Sequence, residues 1–255
     1  MDLSVNGAKI FFRITVFGFE INITQTFISL LVITLLLSAL AFFLCRNLDK
    51  RKPKGVQIVL EKLVSMLYGM VEDTMGKHNL KYAPYIGTLF VSSIIGSLLG
   101  MTQIFRSTTA DLSVTLAWAL VTTGMVWREN IKNQGLLGWL KGFTEPIFIM
   151  TPMNIVSEIA QPIALAFRHF GNVAGGGVLT SLIYAALAMG SQAILGWIPG
   201  AFGELLSQIP ILQAGIPAVL SLYFDLFSGF VQALVFCLLT MVYVGSANPP
   251  AEETV

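Results

Sequence analysis

Charged residues are scarce in this sequence, and their scarcity excludes an ordinary soluble domain. Only 11% of the 255 residues are Asp, Glu, Lys or Arg, whereas 55% are hydrophobic. A soluble domain carries about 25% charged residues. The net charge of +1 gives no reason to expect nucleic-acid binding. The composition therefore predicts a polytopic membrane protein.

The sequence has two cysteines, and neither a cleavable signal sequence nor a nucleotide-binding loop is expected from it. Cys45 and Cys237 lie far apart in apolar runs and are interpreted as small hydrophobic residues. The apolar run 26–45 is too long for the core of a cleavable signal and ends at Arg46. The glycine-rich stretch 174–177 lacks the GK[ST] ending of a phosphate-binding loop. No cofactor or metal site is predicted.

Hydropathy and basic residues together predict the course of the first segments. Residues 1–23 are expected outside the cytoplasm, and the charge-free stretch 24–45 is the first transmembrane helix. About 20 apolar residues suffice to cross a bilayer. The densest basic cluster follows at once, and the positive-inside rule places it in the cytoplasm. That cluster consists of Arg46, Lys50, Arg51, Lys52 and Lys54.

Residues 46–81 combine this basic loop with an amphipathic helix. Apolar residues recur at three- and four-residue spacing over 56–76, and charged residues occupy the other face. This pattern predicts a helix lying at the cytoplasmic membrane interface. A helix packed on the cytoplasmic edge of the protein itself fits the same pattern, and the two interpretations are compatible.

The remaining chain predicts four more membrane helices. Residues 82–127 form a transmembrane hairpin, 128–145 a cytoplasmic loop, 146–248 a second hairpin and 249–255 a tail. The apolar runs of the second hairpin would measure about 75 and 60 Å as helices, so they are either broken or steeply tilted. The predicted fold is an all-α polytopic membrane protein with about five transmembrane helices. The last two are long and steeply tilted, and one cytoplasmic interfacial amphipathic helix accompanies them. The C-terminus is predicted in the cytoplasm.

Arg168 is the last Lys or Arg of the chain. Beyond it, only Glu204 and Asp225 are charged before the tail. An arginine at membrane depth costs at least about 2.5 kcal/mol, and it cannot lose its proton. We therefore interpret Arg168 as part of an ion pathway.

Other polar residues share the faces of the last two helices. Asn172 lies one helical turn after Arg168, and Glu158 lies less than three turns before it. In the final helix, Asp225 and Gln232 are seven residues apart and share a face. Gln232 can donate and accept hydrogen bonds at once.

Three alternatives remain open at these positions. Asp225 and Arg168 could form a static buried salt bridge. The glycines at 171 and 175–177 could serve only internal helix packing. His169 could titrate near neutral pH or be a hydrogen-bonded packing residue.

Four stretches carry a family resemblance over roughly 40–245. They are residues 152–172 (from Pro-Met-Asn to Arg-His-Phe-Gly-Asn), 108–117 (Thr-Thr-Ala-Asp-Leu-Ser-Val-Thr-Leu-Ala), 81–90 (Lys-Tyr-Ala-Pro-Tyr-Ile-Gly-Thr-Leu-Phe) and 232–243. Taken in their order along the chain, they resemble subunit a of bacterial rotary F-type ATP synthases.

The resemblance implies a stator in the bacterial inner membrane, within a hetero-oligomeric complex that contains a c-ring and the peripheral stalk subunit b, surrounded by lipid. Two offset half-channels would pass H⁺ or Na⁺ to the carboxylates of the ring, with Arg168 as the essential gate between them. Gln232 would position Arg168. The outer half-channel is assigned to Asp225 with Asn172, and the inner one to Glu158 and Ser157. His169 is counted with this ion pathway.

Several residues depart from the family pattern. Gly177 stands where a glutamate or histidine is common, and Asp225 where histidine or glutamate is common. His169 replaces a leucine, and Ser97 replaces an asparagine. A stand-alone secondary cation transporter and a structural scaffold remain the alternatives, although no inverted repeat of the kind common in transporters is evident.

Overall fold

The computed structural model describes residues 10–16, 19–46, 48, 55–101, 107–145, 147–195 and 222–250. This part of the chain contains a two-stranded hairpin and six α-helices. The strands are β1 (Ile10–Val16) and β2 (Phe19–Thr24). The helices are α1 (Gln25–Cys45), α2 (Val56–Met75), α3 (Ala83–Met101), α4 (Leu112–Gly142), α5 (Thr151–Leu195) and α6 (Ser228–Ala247).

Four helical stretches of this part of the chain are long and apolar enough to cross a membrane. They are Gln25–Cys45, Lys77–Gly100, Phe148–Ile194 and Ser228–Ala247. The prediction of an all-α polytopic membrane protein is thereby confirmed. The further predicted span, 112–127, lies within α4, where threonines and the following charges lower the hydropathy.

The N-terminal hairpin was not predicted. β1 and β2 pair antiparallel, with Arg13 opposite Asn22 and Ile14 opposite Ile21. Apolar and polar residues alternate through β2, which is the pattern of a strand with two different faces. β2 continues directly into α1, where the hydroxyl of Thr24 caps the helix by accepting a hydrogen bond from the backbone N–H of Phe27 at 3.3 Å.

Helix α4 extends well past its predicted end. It continues to Gly142 through most of the segment expected to be a loop, with a break at Gly135, whose φ is +73°. Glycine adopts this conformation at little cost because it has no Cβ. The break directs the chain back, so that the rings of Trp139 and Trp127 lie 5.9 Å apart.

Helix α5 is a single helix of 45 residues, about 67 Å long at 1.5 Å per residue. Pro162 lies inside it without ending it. In the second half of this hairpin, a π-helix at Leu222–Phe227 leads into α6. The predicted breaks at 196–200, Pro210 and Pro217 fall outside the described residues and stay predictions.

The core lies where α3, α4 and α6 meet the C-terminal end of α2. Its fully buried members include Val71, Ile86, Phe236 and Met241. The C-terminal end of α2 therefore packs on the protein itself, as one of the two interpretations of this helix requires. Its N-terminal end exposes apolar side chains, such as Val59. The long face of α5 stays largely uncovered by the rest of the described chain.

Candidate functional site

Arg168 lies on the uncovered face of α5. Its side chain is exposed. Within the described ranges the guanidinium has neither a hydrogen bond nor an ion pair. The predicted alternative of a static bridge to Asp225 cannot be compared with this observation, because the Asp225 side chain lies outside the described residues. Its backbone belongs to the π-helix before α6.

The glycines after Arg168 leave open space along α5. A Cβ built at Gly171, Gly175 or Gly177 would have nothing within 4 Å among the described residues. Gly171 and Gly175 follow Arg168 by three and seven positions, so these two glycines lie on the same face of the helix as Arg168. Packing within the described chain therefore does not account for these glycines.

Asn172 and Gln232 connect α5 to α6. The Nδ2 of Asn172 donates a hydrogen bond to the Oε1 of Gln232 at 2.5 Å. Gln232 is only 5% exposed, and its Nε2 is buried without a partner in the described part of the chain. The observed partner of Gln232 is thus Asn172. The prediction that Gln232 positions Arg168 stays a prediction.

His169 points into the protein, away from the exposed face. Its side chain is fully buried, and its Nε2 lies 3.0 Å from the Oγ of Ser93 in α3. The rings of Trp118 and Phe236 meet it edge-on, with centroids 6.1 and 5.3 Å away. Of the two readings of His169, the structure matches the hydrogen-bonded packing residue.

Glu158 lies nearer the start of α5 and contacts α4. The Nε1 of Trp127 donates a hydrogen bond to its Oε1 at 2.5 Å. Trp127 in turn packs against Trp139, which the break at Gly135 brings into reach. Ser157 is exposed beside Glu158. The two residues assigned to the inner half-channel are therefore adjacent on α5, about 10 positions before Arg168.

Sequence reasoning missed the partners of these side chains. These partners all come from other helices. Around His169 they are Ser93, Trp118 and Phe236, and at Glu158 the partner is Trp127. The two hydrogen-bonded partners, Ser93 and Trp127, lie 76 and 31 residues away along the chain. The available signal was weak, because a serine or a tryptophan in an apolar helix has many uses. The unusual histidine at position 169 was the strongest hint that a polar partner had to exist.

Comparison with known proteins gives one consistent family. The pattern of the family described as ATP synthase A chain matches residues 26–245. The chain is 32% identical over 252 residues to the ATP synthase subunit a, sodium ion specific, of Propionigenium modestum, covering 93% of this chain and 78% of that protein. It is 33% identical over 240 residues to the ATP synthase subunit a of Limosilactobacillus reuteri subsp. reuteri, covering 89% and 93%. The subunit a of Moorella thermoacetica is 29% identical over 226 residues, covering 89% and 91%. The chain therefore belongs to the family of ATP synthase subunit a, multi-pass membrane proteins with a stator role in ion translocation.

Proposed function

We propose that this subunit provides two offset half-channels to the carboxylates of a c-ring, with Arg168 as the gate between them. One observation carries the proposal: the guanidinium of Arg168 is exposed on the long apolar helix α5 and has no partner among the residues that the structure describes. A charge in such a place needs a partner of opposite sign or water. A deprotonated ring carboxylate supplies that partner for part of each step, and the positive charge of Arg168 repels a cation that would leak directly between the half-channels.

The face of α5 around Arg168 has room for a neighbouring helix to pack closely. Gly171 and Gly175 lie on the face of Arg168 and carry no side chains, and no described residue fills the space above them. Small residues let another helix backbone approach closely in a membrane. This supports a c-ring helix as the occupant of that face. Peripheral stalk subunit b and lipid would cover other outward surfaces.

We assign the two half-channels to the polar groups on either side of Arg168. Asp225, with Asn172 and Gln232, would form the outer route, and Glu158 with Ser157 the inner one. The link between Asn172 and Gln232 supports a polar route along α5 and α6. For Gln232 to hold Arg168, its Oε1, which already accepts a hydrogen bond from Asn172, would accept a second one from the guanidinium, which is a donor only.

We propose that the C-terminus of α6 lies in the cytoplasm and the N-terminus outside. The Nδ2 of Asn133 donates hydrogen bonds to the backbone of Ala247 at 2.9 Å and to the Oδ1 of Asn248 at 3.1 Å. The end of α6 is therefore at the same end of the molecule as the basic part of α4, with Arg128 and Lys132. Basic residues near membrane helices favour the cytoplasmic side.

The translocated cation is H⁺ or Na⁺. The Propionigenium modestum relative is named sodium ion specific, so Na⁺ and H⁺ should be compared directly as the translocated cation. Most of the groups that would bind the cation belong to the ring. The choice is tested by measuring whether ATP-driven pumping by the purified complex in vesicles requires Na⁺ and persists when a protonophore removes the proton gradient.

The decisive experiment replaces Arg168 with alanine in the complete complex. We expect Arg168→Ala to assemble with the ring but to lose ATP-driven ion pumping, with passive leak unchanged or raised. Arg13→Ala, which removes an exposed arginine of the N-terminal hairpin, is the control and should pump normally. Pumping near the wild-type level in Arg168→Ala would make the arginine structural and overturn the proposal.

Two further measurements separate the alternatives. A stand-alone transporter should move cations in vesicles without any other subunit, whereas this subunit should require the ring. Exchanging the two charges, Arg168→Asp with Asp225→Arg, should preserve a static salt bridge in a scaffold. We expect the exchange to abolish pumping, because the ring carboxylate would then face a negative charge.

A further inference from the structure

The imidazole of His169 is buried where α3, α4 and α6 meet α5. Its side chain is 0% exposed although the preceding residue, Arg168, is exposed. The Nε2 lies 3.0 Å from the Oγ of Ser93, which is itself 0% exposed. Trp118 and Phe236 contact the ring from α4 and α6. A single side chain thus connects α5 to three other helices directly beside Arg168.

Helical geometry couples the direction of His169 to that of Arg168. Consecutive residues are about 100° apart around an α-helix. With His169 directed into the protein, Arg168 is on the uncovered side. A rotation of α5 that withdrew His169 from Ser93 would move Arg168 around the same axis. The position of one side chain therefore determines the position of the other.

A hydrogen bond constrains this rotation more tightly than apolar packing does. Leu165 and Ala166 are also buried on the inner side of α5, but apolar contacts change little when two helices slide slightly. A hydrogen bond depends steeply on distance and angle. Both groups are fully buried, so breaking the bond deprives each of this partner at a site where burying an unpaired polar group is costly. On the opposite side, Gly171 and Gly175 meet no described residue that could hold the helix.

We propose that His169 is a positioning residue, whose hydrogen bond to Ser93 sets the rotation of α5 and thereby holds Arg168 in place against the ring. This inference rests on the proposed role of Arg168 as the gate. The fully buried ring of His169 takes no part in the ion path itself.

The test compares variants of the anchor in the complete complex reconstituted in vesicles. His169→Leu and Ser93→Ala remove the two halves of the hydrogen bond, and the double variant removes both. His169→Gln keeps a side-chain amide that can reach Ser93. Ser29→Ala is the matched control, because Ser29 is also fully buried but its hydroxyl bonds to the backbone of its own helix at Gln25, 3.1 Å away. The number of ions pumped per ATP and the passive leak are measured on complexes that retain their ring.

We expect His169→Leu and Ser93→Ala each to lower the number of ions pumped per ATP by about tenfold, since small misplacements of a key group carry penalties of this order or larger. The double variant should be no worse than either single variant, because all three lack the same bond. His169→Gln should recover most of the pumping, and Ser29→Ala should match the wild type.

Three results would overturn the inference. A wild-type number of ions pumped per ATP in His169→Leu would show that the bond is dispensable. Additive losses in the double variant would show that the two residues act separately. A lower yield of complex with an unchanged number of ions pumped per ATP would make His169 a folding residue only. If Arg168→Ala itself pumped normally, the proposed gate would fail first. If Arg168→Ala is inactive while all anchor variants pump normally, only the anchor fails.

Discussion

Tyr82, directly before α3, donates a hydrogen bond to Glu129 in the middle of α4. The carboxylate of Glu129 is 1% exposed, and the Nζ of Lys81 lies 3.3 Å from both of its oxygens. Arg128 approaches at 3.8 Å from its exposed position. A buried carboxylate with this many donors ties the start of α3 to the middle of α4.

Removing one member of this cluster should destabilise the protein. Glu129→Ala would leave the buried Tyr82 hydroxyl without its acceptor, and we expect a loss of about 3 kcal/mol, in the range for breaking buried pairs. Tyr82→Phe keeps the ring and removes only one donor, so its loss should be about 1 kcal/mol. Thermal unfolding of the detergent-purified complex measures both. Equal melting temperatures for Glu129→Ala and the wild type would contradict the prediction.

The same cluster predicts a dependence of stability on pH. Burial acts to raise the pKa of Glu129, but the hydrogen bonds from Tyr82 and Lys81 outweigh it and hold the pKa below the usual value of 4.5. A carboxyl group with a lowered pKa stabilises the fold above its unfolded pKa, and this contribution disappears as the pH falls through the folded pKa. We expect the stability difference between wild type and Glu129→Gln to be largest near neutral pH and to shrink below pH 4.5. A difference that grows on acidification would contradict this.

Asn79 and Asn248 hold the C-terminal end of α6. The Nδ2 of Asn248 donates to the Oδ1 of Asn79 at 2.6 Å, and the Nδ2 of Asn79 donates to the backbone of Met75 and of Asn248 at 2.8 and 3.1 Å. Asn79 is fully buried. Asn79→Ala should therefore release the tail and cost about 1–3 kcal/mol, since buried polar groups lose their partners. Faster trimming of the tail by a carboxypeptidase would report this release. Asn133→Ala removes a more exposed contact to the same end and should show a smaller effect.

Gly135 should resist substitution because of its backbone and not because of crowding. No described atom lies within 4 Å of a Cβ built there, but φ is +73°. Alanine in this region costs about 1–2 kcal/mol. Gly135→Ala should lower the melting temperature and change the fluorescence of the Trp127–Trp139 pair. Gly124→Ala is the matched control, because Gly124 is equally open within α4 and has no positive φ. Alanine at 124 should be neutral or slightly stabilising.

Trp127 should matter for transport through Glu158. Its indole N–H binds the carboxylate at 2.5 Å, so Trp127→Phe keeps the aromatic packing but frees Glu158. If Glu158 belongs to the inner route, Trp127→Phe and Glu158→Gln should each slow pumping, and the double variant should be no slower than Glu158→Gln alone. ATP-driven pumping in vesicles measures all three variants. Losses that multiply in the double variant would separate the two residues.

Much of the architecture was predictable because it depends on local composition. The apolar run of α1 and the three- and four-residue periodicity of α2 are properties of single segments, and their ends lie within a few residues of the predicted ones. The hairpin at 10–24 and the helical course of 128–142 were not predicted, because short alternating stretches and charged helices give weak signals. Gly135 could be recognised as a break only from its backbone conformation.

Arg168 could be predicted as a site residue from the sequence alone, because an arginine in so long an apolar run is exceptional for a membrane helix however the chain folds. Its exposure on α5, the open space at Gly171 and the contact of His169 with Ser93, 76 residues away, were decided by the tertiary structure. The free-energy cost of moving one charged residue from water into a membrane depends on that residue and its surroundings in the apolar run, so the sequence alone reveals it. The partner that offsets such a cost depends on which helix faces meet, and only the packed structure determines that.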